Sequence, residues 1–115
     1  MGYCHCGSCR SWSAAPLTAF SLWKADAVKI TSGAEYLRTF KKTERSERQF
    51  CDRCGGHLML GLPSLGLVDI FVPTLEFEAV LHVNYAETVL PIRDGLPKLR
   101  DFPAEAGGSG EMIAE

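Results

Sequence analysis

The five cysteines of this 115-residue chain lie in two short stretches, and their spacing indicates a metal-binding site. The first stretch holds Cys4, Cys6 and Cys9, and the second holds Cys51 and Cys54. A C-x-x-C turn brings two sulfurs close enough to bind one ion, and two such turns supply the four thiolates of a tetrahedral structural zinc site. We therefore predict that these five cysteines are metal ligands and that the cofactor is Zn²⁺.

The two C-x-x-C pairs suggest by their spacing that one zinc ion is shared between them, with Cys4 as a spare or competing ligand. Disulfides are the alternative use of clustered cysteines. An odd number of cysteines counts against a closed disulfide framework, and no signal peptide precedes Cys4. We therefore expect a cytoplasmic protein, since thiols stay reduced in that compartment and clustered cysteines there more often bind metal.

The charge and hydropathy of the chain argue against two classes of partner. Its net charge is −2, so we expect no attraction to nucleic acid or to an anionic membrane surface. No apolar run approaches the length of about 20 residues that spans a membrane. The hydrophobic share of 46% and the charged share of 23% are those of an ordinary globular protein. We predict a single zinc-binding domain over residues 1–105 and a flexible tail over residues 106–115.

Short alternating apolar runs predict that β-strands, with little helix, position the cysteines. Residues 34–42 are compatible with a helix or a strand, and the polar run that follows them favours a β-hairpin. The serines and the proline in residues 10–16 predict a loop. Further strands are predicted at residues 17–23, 28–31, 67–72 and 80–85. The predicted fold class is therefore mainly β, a small antiparallel fold pinned by zinc.

Several motifs of the chain together resemble those of one protein family. They are C-H-C-G-S-C-R from Cys4, A-P from Ala15, T-S-G from Thr31, F-C-x-x-C-G-G-x-L from Phe50, His82, and D-G-L-P from Asp94. In order and spacing they resemble the glutathione-dependent formaldehyde-activating enzyme family, also called centromere-protein-V-like. The resemblance covers nearly the whole chain and implies an Mss4-like fold of β-sheets around zinc.

The resemblance also implies two zinc sites and an activity. One zinc would be catalytic, held by Cys4, Cys6 and Cys9 with a fourth position open. The other would be structural and would join Cys51 and Cys54 to a separate C-x-C-G motif that precedes the catalytic motif in the family, and no such motif stands ahead of Cys4 in this sequence. The implied function is a carbon–sulfur lyase acting on an adduct of an aldehyde with glutathione or a similar thiol, such as S-(hydroxymethyl)glutathione.

A non-catalytic alternative remains open from the sequence. In it, zinc only staples the fold, and the surface serves protein contacts. A homodimer that shares a metal site is a further possibility. The three histidines are predicted to be structural: His5 would point away from a metal bound by both flanking cysteines, His57 begins a strand, and His82 is a hydrogen-bonded residue among apolar neighbours.

Overall fold

The computed structural model describes residues 1–71 and 76–115, which form two compact units. One unit combines Met1–Phe20 with Glu76–Glu115, and the other is formed by Ser21–Leu75. In chain order the strands are β1 (Gly2–Cys4), β2 (Thr18–Phe20), β3 (Leu22–Lys24), β4 (Leu37–Thr43), β5 (Ser46–Cys51), β6 (His57–Leu62), β7 (Leu67–Ile70) and β8 (His82–Val83), and the α-helix α1 spans Gly7–Ser13.

The first unit is built on a three-stranded sheet in the order β2-β1-β8. Strand β1 runs antiparallel to β2 and parallel to β8, so the start of the chain lies between two partners that are distant from each other in sequence. Cys4 and Cys9 are buried together with Phe20 and Val83 in the core of this unit. The cysteine motif is therefore part of the core, where apolar burial stabilises its backbone.

The second unit is a five-stranded antiparallel sheet in the order β3-β7-β6-β5-β4. The β4–β5 hairpin pairs Leu37 with Cys51 and so delivers the second cysteine pair at the end of β5. At the other side of the sheet, the buried Ser21 donates its hydroxyl to the Ile70 carbonyl at 2.7 Å and its backbone N–H to the Asp69 carboxylate at 3.1 Å. These bonds satisfy polar groups that burial would otherwise penalise.

The predicted mainly β, antiparallel fold class is confirmed, and the parallel β1–β8 pair is an addition that the sequence did not indicate. The favoured hairpin over residues 34–42 is also confirmed, since β4 and β5 pair directly. The strand predicted at 17–23 is divided into β2 and β3, which belong to different sheets. The strand predicted at 80–85 is shortened to the two residues of β8.

Two local predictions are wrong. The loop predicted over residues 10–16 begins inside α1, because Cys6 caps this helix and the Ser13 hydroxyl donates to the Cys9 carbonyl at 2.7 Å within it. Residues 28–31 form no strand, and the Val28 N–H instead closes a 3₁₀ turn on the Ala25 carbonyl. β-Branched residues favour a strand only where a neighbouring strand accepts them. The strand predicted at 67–72 ends at Ile70, and its last residue lies outside the described residues.

The division into a domain over residues 1–105 and a flexible tail over residues 106–115 stays a prediction. Backbone hydrogen bonds do connect that last segment to the first unit, from the Arg100 N–H to the Glu111 carbonyl at 2.8 Å and from the Ile113 N–H to the Lys98 carbonyl at 2.9 Å. Among the described residues, no helix has the length and apolar composition needed to cross a membrane.

Candidate metal centre

Three of the predicted ligands meet in the first unit. Cys4 is the last residue of β1, Cys6 caps α1, and Cys9 lies in the first turns of that helix. Their sulfur atoms all lie within 4.8 Å of one another, and within the described residues this is the group of three or more potential ligands that could hold a metal ion. All five cysteines are free thiols.

The start of α1 explains why the three sulfurs converge. Cys6 has extended backbone angles (φ −64°, ψ 150°), and its sulfur accepts the Cys9 N–H at 3.2 Å. The Arg10 N–H bonds to the Cys6 carbonyl at 3.0 Å, which closes the first helical turn. Residues three apart in a helical turn lie on the same side, so Cys9 is brought back over Cys6. The C-x-x-C spacing thus becomes a pair of neighbouring sulfurs.

The protonation of these thiols fits a site built for a cation. The Cys4 thiol donates hydrogen bonds to Cys6 and Cys9, and these bonds together with burial hold the pKa of Cys4 far above its ordinary value. The pKa of Cys6 is also raised: the hydrogen bond that it accepts from Cys4 lowers the pKa, but the one that it donates to Cys9 and burial outweigh that effect. Three thiolates this close repel one another, and a bound metal ion removes that penalty by displacing the protons.

The donor set is compatible with zinc. Two sulfurs bound at about 2.3 Å in a tetrahedral site lie about 3.8 Å apart. The pairs in this cluster lie within 4.8 Å, so small side-chain adjustments bring them to that spacing. The residues present therefore fit a zinc ion that binds three cysteines.

Asn84 provides a polar contact to this cluster that the sequence did not suggest. Its side-chain amide donates to the Cys4 sulfur at 3.4 Å, and the residue is only 8% exposed. Its backbone is left-handed (φ 53°), a conformation that asparagine tolerates better than most residues. An N–H group directed at a ligand sulfur stabilises the thiolate form, as groups around metal ligands commonly do.

His5 is buried, and both of its ring nitrogens bond to side chains other than the three cysteines, which agrees with the prediction that it is no metal ligand. Its Nε2 lies 2.8 Å from His82 Nδ1, and its Nδ1 lies 2.8 Å from the Thr88 hydroxyl. Burial, followed by the charges of His82 and its neighbours, lowers the pKa of His5 to about 4. His5 is therefore a neutral imidazole near neutral pH.

His82 connects His5 to the ion pair between Asp94 and Lys98. Its Nε2 lies 2.8 Å from the Asp94 carboxylate, whose second oxygen is bound by the ammonium group of Lys98. The hydrogen bonds from Lys98 and then from His82 hold the pKa of Asp94 well below its ordinary value. The prediction of His82 as a hydrogen-bonded structural residue is confirmed.

The second cysteine pair lies in the other unit, at the turn after β5. The Gly55 N–H bonds to the Cys51 carbonyl at 2.7 Å, and the Gly56 N–H points at the Cys54 sulfur at 3.4 Å. Gly55 has a φ of 76°, which explains the need for glycine there. Backbone N–H groups of Cys54 and Arg53 lower the pKa of Cys51. Metal binding by Cys51 and Cys54, alone or with the first cluster, stays a prediction.

The sequence motifs did not identify Asn84, Thr88 or Lys98 as neighbours of the site. One signal was available, because Asp94 and Lys98 are an acidic and a basic residue four positions apart. Nothing comparable marks Asn84 or Thr88, whose positions depend on the pairing of β8 with β1.

Comparison with known proteins agrees with this geometry. The sequence model of a family described as glutathione-dependent formaldehyde-activating enzyme matches residues 1–88, which is more than half of the chain. A protein of Schizosaccharomyces pombe described as an uncharacterized lyase is 28% identical over 99 residues, which cover 86% of this chain and 68% of that relative. The matched region contains all five cysteines as well as Asn84 and Thr88.

Proposed function

Because the chain belongs to the glutathione-dependent formaldehyde-activating enzyme family, we propose that it is a zinc-dependent carbon–sulfur lyase. Its substrate would be an adduct of an aldehyde with a small thiol, such as S-(hydroxymethyl)glutathione. The observation that carries the proposal is the group of three sulfurs within 4.8 Å at Cys4, Cys6 and Cys9. Three protein ligands leave one position of a tetrahedral site for a substrate. The description of the yeast relative as a lyase supports the same reaction type.

The chemistry breaks one carbon–sulfur bond. In the lyase direction, the hydroxyl group of the adduct loses its proton, a carbonyl forms, and the electron pair of the carbon–sulfur bond remains on the sulfur. The products are an aldehyde and a thiol, and the reverse reaction joins them. A bound zinc ion would supply a Lewis-acidic position at which the substrate sulfur is held as a thiolate.

The residues of this chain would hold and tune that position. Cys4 and Cys9 are buried in the core, so the geometry of their sulfurs is fixed by packing. Asn84 donates to the Cys4 sulfur and would reduce the charge that this ligand gives to the metal. Arg10, the residue after Cys9, directs its Nε to the carbonyl of His5 at 3.1 Å and so holds the backbone between Cys4 and Cys6.

The remaining parts of the proposal concern the setting of the enzyme. We propose the cytoplasm as its location because free thiols persist there, and a glutathione-like thiol as its partner. A net charge of −2 favours neither nucleic acid nor a membrane surface as a partner. A homodimer that shares a metal through Cys51 and Cys54 stays a prediction.

Exchange NMR spectroscopy of formaldehyde with glutathione tests the activity. At micromolar concentration, the zinc-loaded protein should raise the rate of exchange between free glutathione and S-(hydroxymethyl)glutathione above the uncatalysed rate. Cys9→Ser should remove this increase, because it deletes one of the three ligands. Ser11→Ala, on the exposed side of the same helix, is the matched control and should retain it. If the fully zinc-loaded protein leaves the exchange at the uncatalysed rate, the proposal that it is a lyase is refuted.

X-ray absorption spectroscopy of the zinc-loaded protein distinguishes the enzyme from a zinc-stapled interaction module. Three sulfurs and one light atom per zinc at the Cys4–Cys6–Cys9 cluster are expected for an open site. In the wild type, four sulfurs per zinc would instead indicate a closed staple of the two C-x-x-C pairs. A variant that lacks Cys51 and Cys54 separates the two cases: it should keep a zinc ion with three sulfurs if the Cys4–Cys6–Cys9 cluster is the site, and it should lose the ion if both pairs are needed to hold it.

A further inference from the structure

A chain of hydrogen-bonded polar side chains begins at the residue between Cys4 and Cys6, and the proposed reaction does not use it. It joins the partly buried Thr88 and the exposed Asp94 to the buried His5, His82 and Lys98, and we call it the buried polar chain after these last three. His5 and His82 are 0% exposed, and Lys98 is 1% exposed. Buried histidines and lysines are expensive unless every polar atom has a partner, so such a network is expected only where it serves a purpose.

The hydrogen bonds of the buried polar chain engage both ring nitrogens of each histidine. The Asp94 carboxylate accepts from the His82 Nε2–H. A second bond joins the His82 Nδ1 to the His5 Nε2, and a third joins the His5 Nδ1 to the Thr88 hydroxyl, which donates to the Leu90 carbonyl at 3.1 Å. Lys98 fixes the other end, because its ammonium group binds both Asp94 and the Leu96 carbonyl. Both imidazoles are therefore held in one orientation.

Aromatic packing encloses the two imidazoles. The Tyr85 ring meets the His5 ring edge-on at 4.8 Å and the His82 ring at 5.7 Å between centroids. The Tyr3 ring also packs against the His82 ring, with 5.1 Å between the two centroids. The two imidazole rings therefore have little room to rotate. Side chains locked in this way can hold neighbouring residues in a fixed position.

The link to the metal centre is His5, the residue between two ligands. Each of its polar atoms has a partner: the backbone N–H bonds to the Val83 carbonyl at 3.2 Å, and its carbonyl accepts from Arg10. The ring nitrogens bond to His82 and Thr88. Holding His5 at its backbone and its ring fixes the peptide units that carry the neighbouring cysteines on either side.

We propose that the buried polar chain positions Cys4 and Cys6 through His5, and that it thereby slows the release of metal from the cysteine cluster. The inference rests on the proposed metal centre. His82, Asp94 and Lys98 are positioning residues, since none of them belongs to the group of ligands. Groups that orient ligands in this way commonly change metal affinity by about 10–100-fold when they are removed.

The test measures the rate of zinc release from the full chain to an excess of a coloured chelator. His82→Leu preserves the size of the side chain and removes both ring bonds, so it should release zinc at least about tenfold faster than the wild type. His82→Asn keeps an amide that can bond to the His5 ring, and its rate should lie between the two. Asp94→Asn keeps the carbonyl acceptor for His82 and should have a smaller effect than His82→Leu.

Ser21→Ala serves as the matched control for lost stability. It removes a buried hydroxyl in the other unit, where Ser21 donates to Ile70, and no bond of the buried polar chain. It should lower the melting temperature without changing the rate of zinc release. Melting curves of all variants are recorded in parallel.

Each outcome of the release experiment decides the question. Zinc release by His82→Leu at the wild-type rate overturns the inference, and so does equal acceleration by Ser21→Ala at an equal loss of stability. Either result leaves the lyase proposal intact, because zinc still binds. A wild-type protein that binds no zinc would instead remove the metal centre, and this inference together with it.

Discussion

Replacement of Asn84 tests whether its amide tunes the metal centre. Asn84→Gly removes the donor to the Cys4 sulfur, and glycine accepts the left-handed backbone at this position without strain. A hydrogen bond to a charged group contributes about 1.5–3 kcal/mol, and we take about 1.5 kcal/mol because sulfur is a weak acceptor. Since about 1.4 kcal/mol is a factor of ten, zinc should bind about tenfold more weakly.

A second substitution at this position separates the hydrogen bond from backbone strain. Asn84→Ala also removes the amide, but alanine lacks both the freedom of glycine and the short polar side chain that lets asparagine adopt the left-handed region, so it should cost about 1–2 kcal/mol more folding stability than Asn84→Gly. The two variants should therefore lose the same zinc affinity, while Asn84→Ala unfolds at a lower denaturant concentration. Backbone bonds of this residue, such as its N–H to the Asp101 carbonyl at 2.8 Å, are retained in both.

Chelator competition gives the zinc affinities, and cobalt substitution gives an independent measurement. Without the Asn84 amide, the Cys4 thiolate is a stronger electron donor, so the sulfur-to-cobalt charge-transfer band should move to lower energy. An Asn84→Gly protein with the wild-type zinc affinity and an unshifted band would refute the argument. So would an Asn84→Ala protein that binds zinc much more weakly than Asn84→Gly, because strain rather than the hydrogen bond would then be responsible.

Two further predictions concern the first unit. Gly2→Ala would place a Cβ 2.5 Å from the carbonyl oxygen of Leu81, which is a backbone atom. Denaturant unfolding should therefore show that the free energy of unfolding falls by about 1–3 kcal/mol. Gly7→Ala is the control and should cost less, because the nearest atom to its Cβ is 3.5 Å away. The hydrogen bonds from Lys98 and His82 lower the pKa of Asp94, so the stability that its ionised form contributes is complete above the ordinary carboxyl pKa of 3.8 and is lost as the pH falls through the lowered pKa. Below pH 3.8, the free energy of unfolding should therefore fall more steeply with decreasing pH in the wild type than in Asp94→Asn, and equal slopes for the two proteins would contradict this.

Sequence patterns predicted the structural features that depend on residue type and on spacing over a few positions. The grouping of Cys4, Cys6 and Cys9 followed from the family resemblance, and the β4–β5 hairpin followed from the polar run at residues 41–48, which spans its turn. Helix α1 was missed because its serines are typical of loops. In the structure the Cys6 sulfur provides the cap, a role that cysteine spacing alone does not reveal.

Contacts between distant parts of the chain could not be predicted in the same way. Thr88 and His5 are 83 positions apart, and their hydrogen bond exists only because β8 lies parallel to β1. A two-residue strand carries too little pattern to specify such a pairing. For the same reason, nothing in the sequence marks Lys98 as buried, since a buried lysine is recognised only from the groups that surround it.

The discontinuous first unit has a consequence for the synthesis of the protein. A ribosome makes the cysteine motif at the beginning of the chain, but β8, Asn84 and Lys98 are translated only after the whole of the inserted sheet. Since chains emerge at about 5–20 residues per second, the nascent thiols spend several seconds without the partners that enclose them. A metal ion held by this cluster would therefore gain its full set of neighbouring residues only after β8 has been made and paired with β1.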